Sequence, residues 1–325
     1  MFIIADASGD MAKILYNDLN KNPEKYVVLD KLHLFNNRLY NYLCRLSISL
    51  TLNKHFKMPL KKYFYRTILK RFVGIDDLCF YLGIAWFDQD LVDLIKKTYP
   101  KAKLVLNFHD TVESKLKWFS DMNVDKIKRD FNLVYTYSMQ DVKKYGFEYT
   151  PDMYSKLGNN SIPKFDTCDL VFVGRAKGRE ETLAQIHRNL VSRGVRCWFY
   201  LMDVPKGKRQ YQVDGFYYGD KPIPFLEVIG RHVSARCILE VTQEGCVDAT
   251  LRFWDAVLYN KKIITNCSAV KEYDYYNPNY VFVFDKIDEI DERFIFSSNQ
   301  VDYHYKGDIS PIRVFDNIDK RLSQL

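Results

Sequence analysis

No stretch of this sequence approaches the ~20 consecutive apolar residues of a membrane-crossing helix, which excludes a helical bilayer-spanning protein. The seven cysteines are an odd number, widely spaced and mostly inside apolar runs. Without a C-x-x-C or a Cys/His pair at metal-ligand spacing, they suggest neither a disulfide framework nor a structural zinc site. The phosphate-binding signatures are missing too. G-x-x-x-x-G-K-[ST] does not occur, and Ser8, Gly9 and Asp10 follow the first apolar run where G-x-G-x-x-G would stand. These absences argue against a nucleotide-hydrolysing P-loop and against a conventional NAD or FAD enzyme. The opening MFIIADASGD lacks the basic start and small-residue cleavage site of a secretory signal, so it reads as a first β-strand and a cytoplasmic setting is expected. Acidic residues are absent from Lys31 to Ile75, although the chain as a whole is well supplied with them.

What is there fits two folded domains. A length of 325 residues with 47% hydrophobic content exceeds what one core usually organises. Short β-branched runs alternate with helical stretches, the pattern of parallel α/β sheets. In the first half FIIAD, KYVVLD, LCFYLGI, KLVLNF and LVYTYS read as strands. After LVYTYS a helix is expected, with Ser138 and Asp141 as a capping box and Gly146 as its stop. TPDMYSKLGNNSIPK reads as a linker, after which DLVFVG, RCWFYLMD, CILEVT, KIITN and VFVFD form a second strand series. The expected domains are 1–155, 165–307 and a C-terminal helix at 308–325, begun by Pro311, with a return to the first domain as the sharper option. Two doubly wound halves put ligands at the C-terminal ends of the strands.

The acid-free segment carries ten of the lysine and arginine residues, so the remainder of the chain is slightly acidic against a net charge of +7. Leu, Phe, Tyr and Ile are interleaved with the cations. Tyr63, Phe64, Tyr65, Ile68, Leu69 and Phe72 are shared between shallow insertion into lipid and core packing. A basic, aromatic-rich face suits anionic headgroups or a nucleic-acid backbone, and a solvated helix face is the plain alternative.

Several loops carry chemistry. GRAKGRE places Arg175, Lys177 and Arg179 after the first strand of the second half, beside Gly174, a set suited to a diphosphate. Further on, a glycine-bearing loop precedes a helix with Arg252 in its first turn and Asp255 three residues later. Its N-terminus can receive phosphate while the carboxylate holds a ribose diol, or the two form a surface ion pair. His109 and Asp110 end KLVLNF. Asp110 is either a general base, with His109 as the alternative base, or a helix cap paired with Glu113. Asp88 and Asp90 form a D-x-D, but their position at a helix start reads as capping, so no metal is expected.

The succession VFVGRAKGR, CILEVTQEGCVDATLRFWDAVLYNKKIITN and YDYYNPNYVFVFD resembles the donor half of GT-B-fold glycosyltransferases of bacterial capsule, lipopolysaccharide and exopolysaccharide synthesis. Those proteins commonly read Q-x-G-x-T-x-R-x-x-E-A before a K-x-I-T-x-N strand. Gln243, Thr250, Arg252, Asp255, Ala256, Lys262, Thr265 and Asn266 stand at matching positions, and the likeness covers roughly residues 78–285. Asp255 stands where the family usually has Glu, and His109 where it has an aromatic. The resemblance implies an α/β GT-B fold of two facing Rossmann-like domains and a hexosyltransferase. A nucleoside diphosphate sugar, UDP-sugar first, is then held by Gly174, Arg175, Lys177, Arg179, Gln243, Thr250, Arg252 and Asp255, with no metal cofactor. The implied acceptor is a glycan or lipid-linked glycan. The enzyme is expected peripherally on the inner face of the plasma membrane, touching anionic lipid through residues 31–75, with no nucleic-acid partner. The competing reading is a non-catalytic peripheral membrane or nucleic-acid-binding protein.

Overall fold

The computed structural model describes residues 1–118, 123–243 and 248–325. The chain divides into two compact units, residues 1–155 with 308–325, and residues 156–307. Each is built on a six-stranded, wholly parallel sheet, as buried β-branched runs separated by helices require.

The first unit contains β1 (Phe2–Ala5), β2 (Tyr26–Val28), β3 (Cys79–Gly83), β4 (Lys103–Phe108), β5 (Leu133–Thr136) and β6 (Glu148–Tyr149), in the order β2-β1-β3-β4-β5-β6. Its helices before the linker are α1 (Gly9–Leu15), α2 (Arg38–Ser47), α3 (Leu50–His55), α4 (Lys61–Leu69), α5 (Gln89–Thr98), α6 (Val112–Trp118), α7 (Val124–Asp130) and α8 (Met139–Tyr145). The strand order reverses at β1, between β2 and β3, and such a switch point opens a crevice at the strand C-termini.

The second unit contains β7 (Leu170–Arg175), β8 (Cys197–Met202), β9 (Phe216–Gly219), β10 (Cys237–Glu240), β11 (Lys262–Thr265) and β12 (Val281–Val283), with α9 (Glu180–Val191), α10 (Phe225–Ser234), α11 (Leu251–Tyr259) and α12 (Glu292–Phe296). The order β12-β11-β10-β7-β8-β9 is the Rossmann order, and its switch point lies between β7 and β10. The sequence pattern missed β6 and β9. Both are sheet edges, one of two residues and the other half-exposed, so neither carries the continuous apolar run of a central strand.

The last helix, α13 (Pro311–Leu322), belongs to the first unit. Phe315 meets Phe2, Tyr26 and Tyr81 at ring separations of 5.1, 5.7 and 5.1 Å. Lys25 reaches Asp316 at 2.8 Å, and Arg321 reaches Glu148 at 2.9 Å.

Two local expectations change. Gly146 ends α8 in the left-handed conformation, but the Ser138 side chain makes no capping bond. Asp141 instead accepts the Val112 N–H at 2.9 Å, which satisfies the start of α6 from a neighbouring helix. In the basic segment Phe64, Tyr65, Ile68, Leu69 and Phe72 are core residues, so lipid insertion by them is ruled out. Lys61 bridges Asp88 and Asp90 at 3.1 and 2.7 Å, and Lys62 reaches Asp90 at 3.1 Å. Asp88 also caps α5 by accepting the Asp90 N–H, as its position suggested.

Candidate active site

In the second unit the polar residues gather at the β7/β10 switch point. Glu240 ends β10 as a fully buried carboxylate. It accepts the Thr250 N–H and hydroxyl at 2.8 and 2.6 Å and the Thr265 hydroxyl at 2.7 Å, so it anchors the start of α11 to two strands. Thr250 is the N-cap of α11, and its hydroxyl oxygen accepts the Arg252 N–H. The next turn therefore starts at a fixed angle and sends the Arg252 side chain over the end of β7. Its Nε and Nη2 donate to the Val173 carbonyl at 3.2 and 2.6 Å, and its carbon stacks 4.7 Å from the Phe172 ring centroid. A Cβ on Gly174 would stand 2.1 Å from Nη2, so glycine is what lets the guanidinium lie there. With Nη1 on Thr250 as well, three of five N–H groups have protein partners among the described residues, which leaves two for an anion. Burial lowers the Arg252 pKa, opposed by Glu240 and Asp255, yet an arginine stays charged throughout the accessible range.

The other sequence candidates separate into two groups. Arg175 and Lys177 are exposed at the end of β7, where Arg175 pairs with Asp203 at 3.0 Å and Lys177 adopts a left-handed turn with φ 46°. Gln243 is half-buried three residues beyond β10, and the loop glycine Gly245 lies outside the described residues. Arg179 turns inward. It donates to the carbonyls of Ala176, Arg175 and Val241, tying the ends of β7 and β10 together. The ribose role expected for Asp255 meets a direct obstacle: its carboxylate is 1% exposed and takes a 2.6 Å hydrogen bond from His232 on α10. Arg252 and Asp255 consequently serve different partners, neither as a surface pair nor as a joint donor clamp. Lys262 is also structural, donating to the carbonyls of Phe294, Ile295 and Ser297 at the end of α12.

The first unit assembles a second cluster, at the ends of β1, β3 and β4. His109 follows β4 and is held between two carboxylates, with Nε2 2.8 Å from Asp6 and Nδ1 3.2 Å from Asp152. Two acceptors on two ring nitrogens require both to carry protons, so the geometry demands an imidazolium. Burial opposes that charge, but the two carboxylates outweigh it and hold the His109 pKa well above the ordinary histidine value. Asp6 is buried, and burial favours its neutral form. His109 together with the Tyr16 hydroxyl and the Ala7 N–H more than offsets this and lowers its pKa. Gly83 makes the bridge possible. It ends β3, between β1 and β4, and a Cβ there would stand 1.5 Å from Asp6 Oδ1. The Asn107 amide nitrogen lies 3.1 Å from Nε2, where a donor facing a protonated nitrogen makes no hydrogen bond.

His109 is thus a fixed cation with 30% of its side chain exposed, and as an imidazolium it has no lone pair for the base role expected of it. Among the described residues Asp110 makes no hydrogen bond to the start of α6 and none to the cluster. It is 52% exposed and ion-paired with Lys115 at 2.5 Å. The sequence reading missed Asp6, Asp152 and Glu240. Asp6 and Glu240 had a signal, a carboxylate directly at the C-terminal end of an apolar parallel strand, where such sheets bind ligands. Asp152 had none.

No protein-family model matches the chain, and no curated protein sequence matches it. Solved structures do. An alpha-glucosyltransferase in complex with UDP-glucose and DNA containing an abasic site is 11% identical, covers 99% of this chain and 98% of its own, and superposes with a TM-score of 0.57. The alpha,alpha-trehalose-phosphate synthase (UDP-forming) from Burkholderia xenovorans, bound to glucose-6-phosphate, is 9% identical with 99% of each chain covered and a TM-score of 0.59. The OtsA apo structure gives 10%, 100% and 99%, and 0.54. The fold is GT-B. In a GT-B chain each sheet brings one switch point, and here each carries a half-buried, strongly oriented cation, His109 in one and Arg252 in the other.

Proposed function

We propose that this protein transfers a hexosyl group from a nucleoside diphosphate sugar, UDP-sugar first, to a hydroxyl group of a glycan or lipid-linked glycan in surface-polysaccharide synthesis. The observation that carries the reading is Arg252, a preorganised guanidinium at the switch point of a Rossmann-order sheet with two N–H groups left for an anion. Full-length likeness to structures named as UDP-dependent glucosyl enzymes supports it.

In this reading Arg252 and the exposed Arg175 and Lys177 take the diphosphate, and their charge stabilises the leaving group as the sugar–phosphate bond breaks and the acceptor oxygen bonds the sugar, its proton passing to the departing diphosphate, with no metal required. His109, fixed by Asp6 and Asp152, donates a charge-assisted hydrogen bond to a sugar or acceptor hydroxyl at the ends of the first sheet. Asp255 acts indirectly, through His232 and the packing of α11, and Asp110 carries no chemical step. A DNA acceptor is the competing choice, motivated by the DNA in the alpha-glucosyltransferase complex.

The test is calorimetric titration with UDP, GDP, CDP and TDP in the presence of EDTA, followed by measurement of UDP release from UDP-sugars. Metal-independent binding of one diphosphate, weakened ~10-fold to 100-fold by Arg252→Ala, is the expected result, since a lost charge-assisted bond costs ~1.5–3 kcal/mol. Equal weakening of uridine and UDP overturns the phosphate assignment.

A further inference from the structure

Helix α2 is packed with its apolar side outward. Asn41, Cys44 and Ser47 face the core, whereas Leu39, Tyr42 and Leu43 are exposed, Leu39 to 68%. This orientation is pinned rather than incidental: the Asn41 amide donates to the Leu32 carbonyl at 2.6 Å and its oxygen accepts the Phe35 N–H at 3.1 Å. Helix α3 has no buried residue at all, and Phe56 at its end is 71% exposed. Leu60 and Tyr63 continue the exposed apolar set into α4, where the Tyr63 hydroxyl meets that of Tyr40 on α2 at 3.2 Å.

A soluble helix buries its apolar stripe, and an apolar stripe turned to solvent marks a surface with a missing partner. The charges identify the partner. Arg38, Arg45, Lys57, Arg66 and Lys70 are exposed on the same helices and their connections and form no ion pair among the described residues, and the segment from Lys31 to Ile75 holds no acid. Lys31, Lys61 and Arg71 are otherwise engaged. Lys31 bonds the Ala85 carbonyl and lies over Trp86, Lys61 bridges Asp88 and Asp90, and Arg71 bonds the Leu34 carbonyl.

We propose that α2, α3 and the start of α4 form a docking surface for an anionic lipid bilayer, with Leu39, Tyr42, Leu43 and Phe56 entering the headgroup layer and the five cations meeting lipid phosphates. The exposed leucines and phenylalanine select lipid over nucleic acid, because a phosphate backbone rewards the cations but offers aliphatic groups nothing. The inference stands apart from the donor chemistry.

The test is flotation of the full chain with phosphatidylcholine vesicles, with and without phosphatidylserine, at low and high salt, beside a duplex oligonucleotide. One variant carries Leu39→Ser, Leu43→Ser and Phe56→Ser, and another Arg38→Gln, Arg45→Gln and Lys57→Gln. All six positions are exposed, so melting temperatures matching wild type are expected and establish folding. Wild type should bind only the anionic vesicles, less at high salt. Each cation near such a surface contributes roughly fivefold, so the charge variant should lose roughly a hundredfold. The apolar variant should lose at least ~10-fold. Preference for the oligonucleotide, equal binding to neutral vesicles, no vesicle binding, or a folded variant of either kind that binds like wild type overturns the proposal.

Discussion

Gly83 and Gly174 have one task in two sheets: each leaves, at or near a strand end, the space that a neighbouring charged side chain occupies. Gly174→Ala should push the Arg252 guanidinium off the Val173 carbonyl and weaken UDP binding by about as much as Arg252→Ala, ~1.5–3 kcal/mol, in the same titration. Gly83→Ala should separate Asp6 from His109 and return the imidazole toward an ordinary pKa, read by NMR titration. The ion pair also sets a pH dependence. A folded pKa raised above ~6.5 contributes stability that is complete below ~6.5 and is lost as pH rises through the folded value. For Asp6, lowered below 3.8, the contribution is present above 3.8 and lost as pH falls through its folded value. The melting-temperature gap between wild type and His109→Gln should therefore be widest between ~4 and ~6.5 and close in alkaline buffer. Asp110→Asn should leave turnover within about threefold, whereas loss of a functioning general base costs ~10²-fold or more. His109 was visible in the sequence as a strand-end residue, but its charge state was not. That depends on Asp6 and Asp152, 103 and 43 residues away, which only the strand order brings to its two nitrogens.

Elements are held here by buried charges used as fasteners. Glu240 fixes the start of α11, and Lys262 closes the end of α12 through three carbonyls and the Ser297 hydroxyl. Lys262→Met removes the donor and leaves buried carbonyls unpaired, at a net cost of ~2–3 kcal/mol after relief of charge burial. The expected drop in melting temperature is roughly 5–10 °C by calorimetry. The sequence marked Lys262 as a matching position beside a donor motif, and the structure gives it a helix to close instead. For α2 the limit is different. Periodicity gives Leu39, Tyr42 and Leu43 one face of the helix, but a face alone has no direction, and it is the pair of Asn41 hydrogen bonds that turns it to solvent.

At the scale of the chain, α13 completes the first unit rather than trailing from the second. Val314, Phe315, Ile318 and Leu322 are buried by it, a contribution of ~6 kcal/mol or more at 1.5–3 kcal/mol per side chain. That approaches the whole stability of a typical domain. Truncation after Gly307 should therefore abolish the calorimetric transition of the first unit, while a transition that UDP shifts upward remains.

Pattern in the sequence was sufficient for two parallel α/β series, for their central strands and for the placing of Gly174, Thr250 and Arg252 near the strand ends of the second sheet, because alternation and strand-end position are local properties. Of the four edge strands β2 and β12 were read, whereas β6, with two residues, and β9, half-exposed, escaped for want of a continuous apolar run. The partners of His109, the inward turn of Arg179 and Asp255, and the outward face of α2 were decided only by tertiary structure. Each depends on which distant polar group a side chain meets once water is excluded, and no spacing along the chain encodes that.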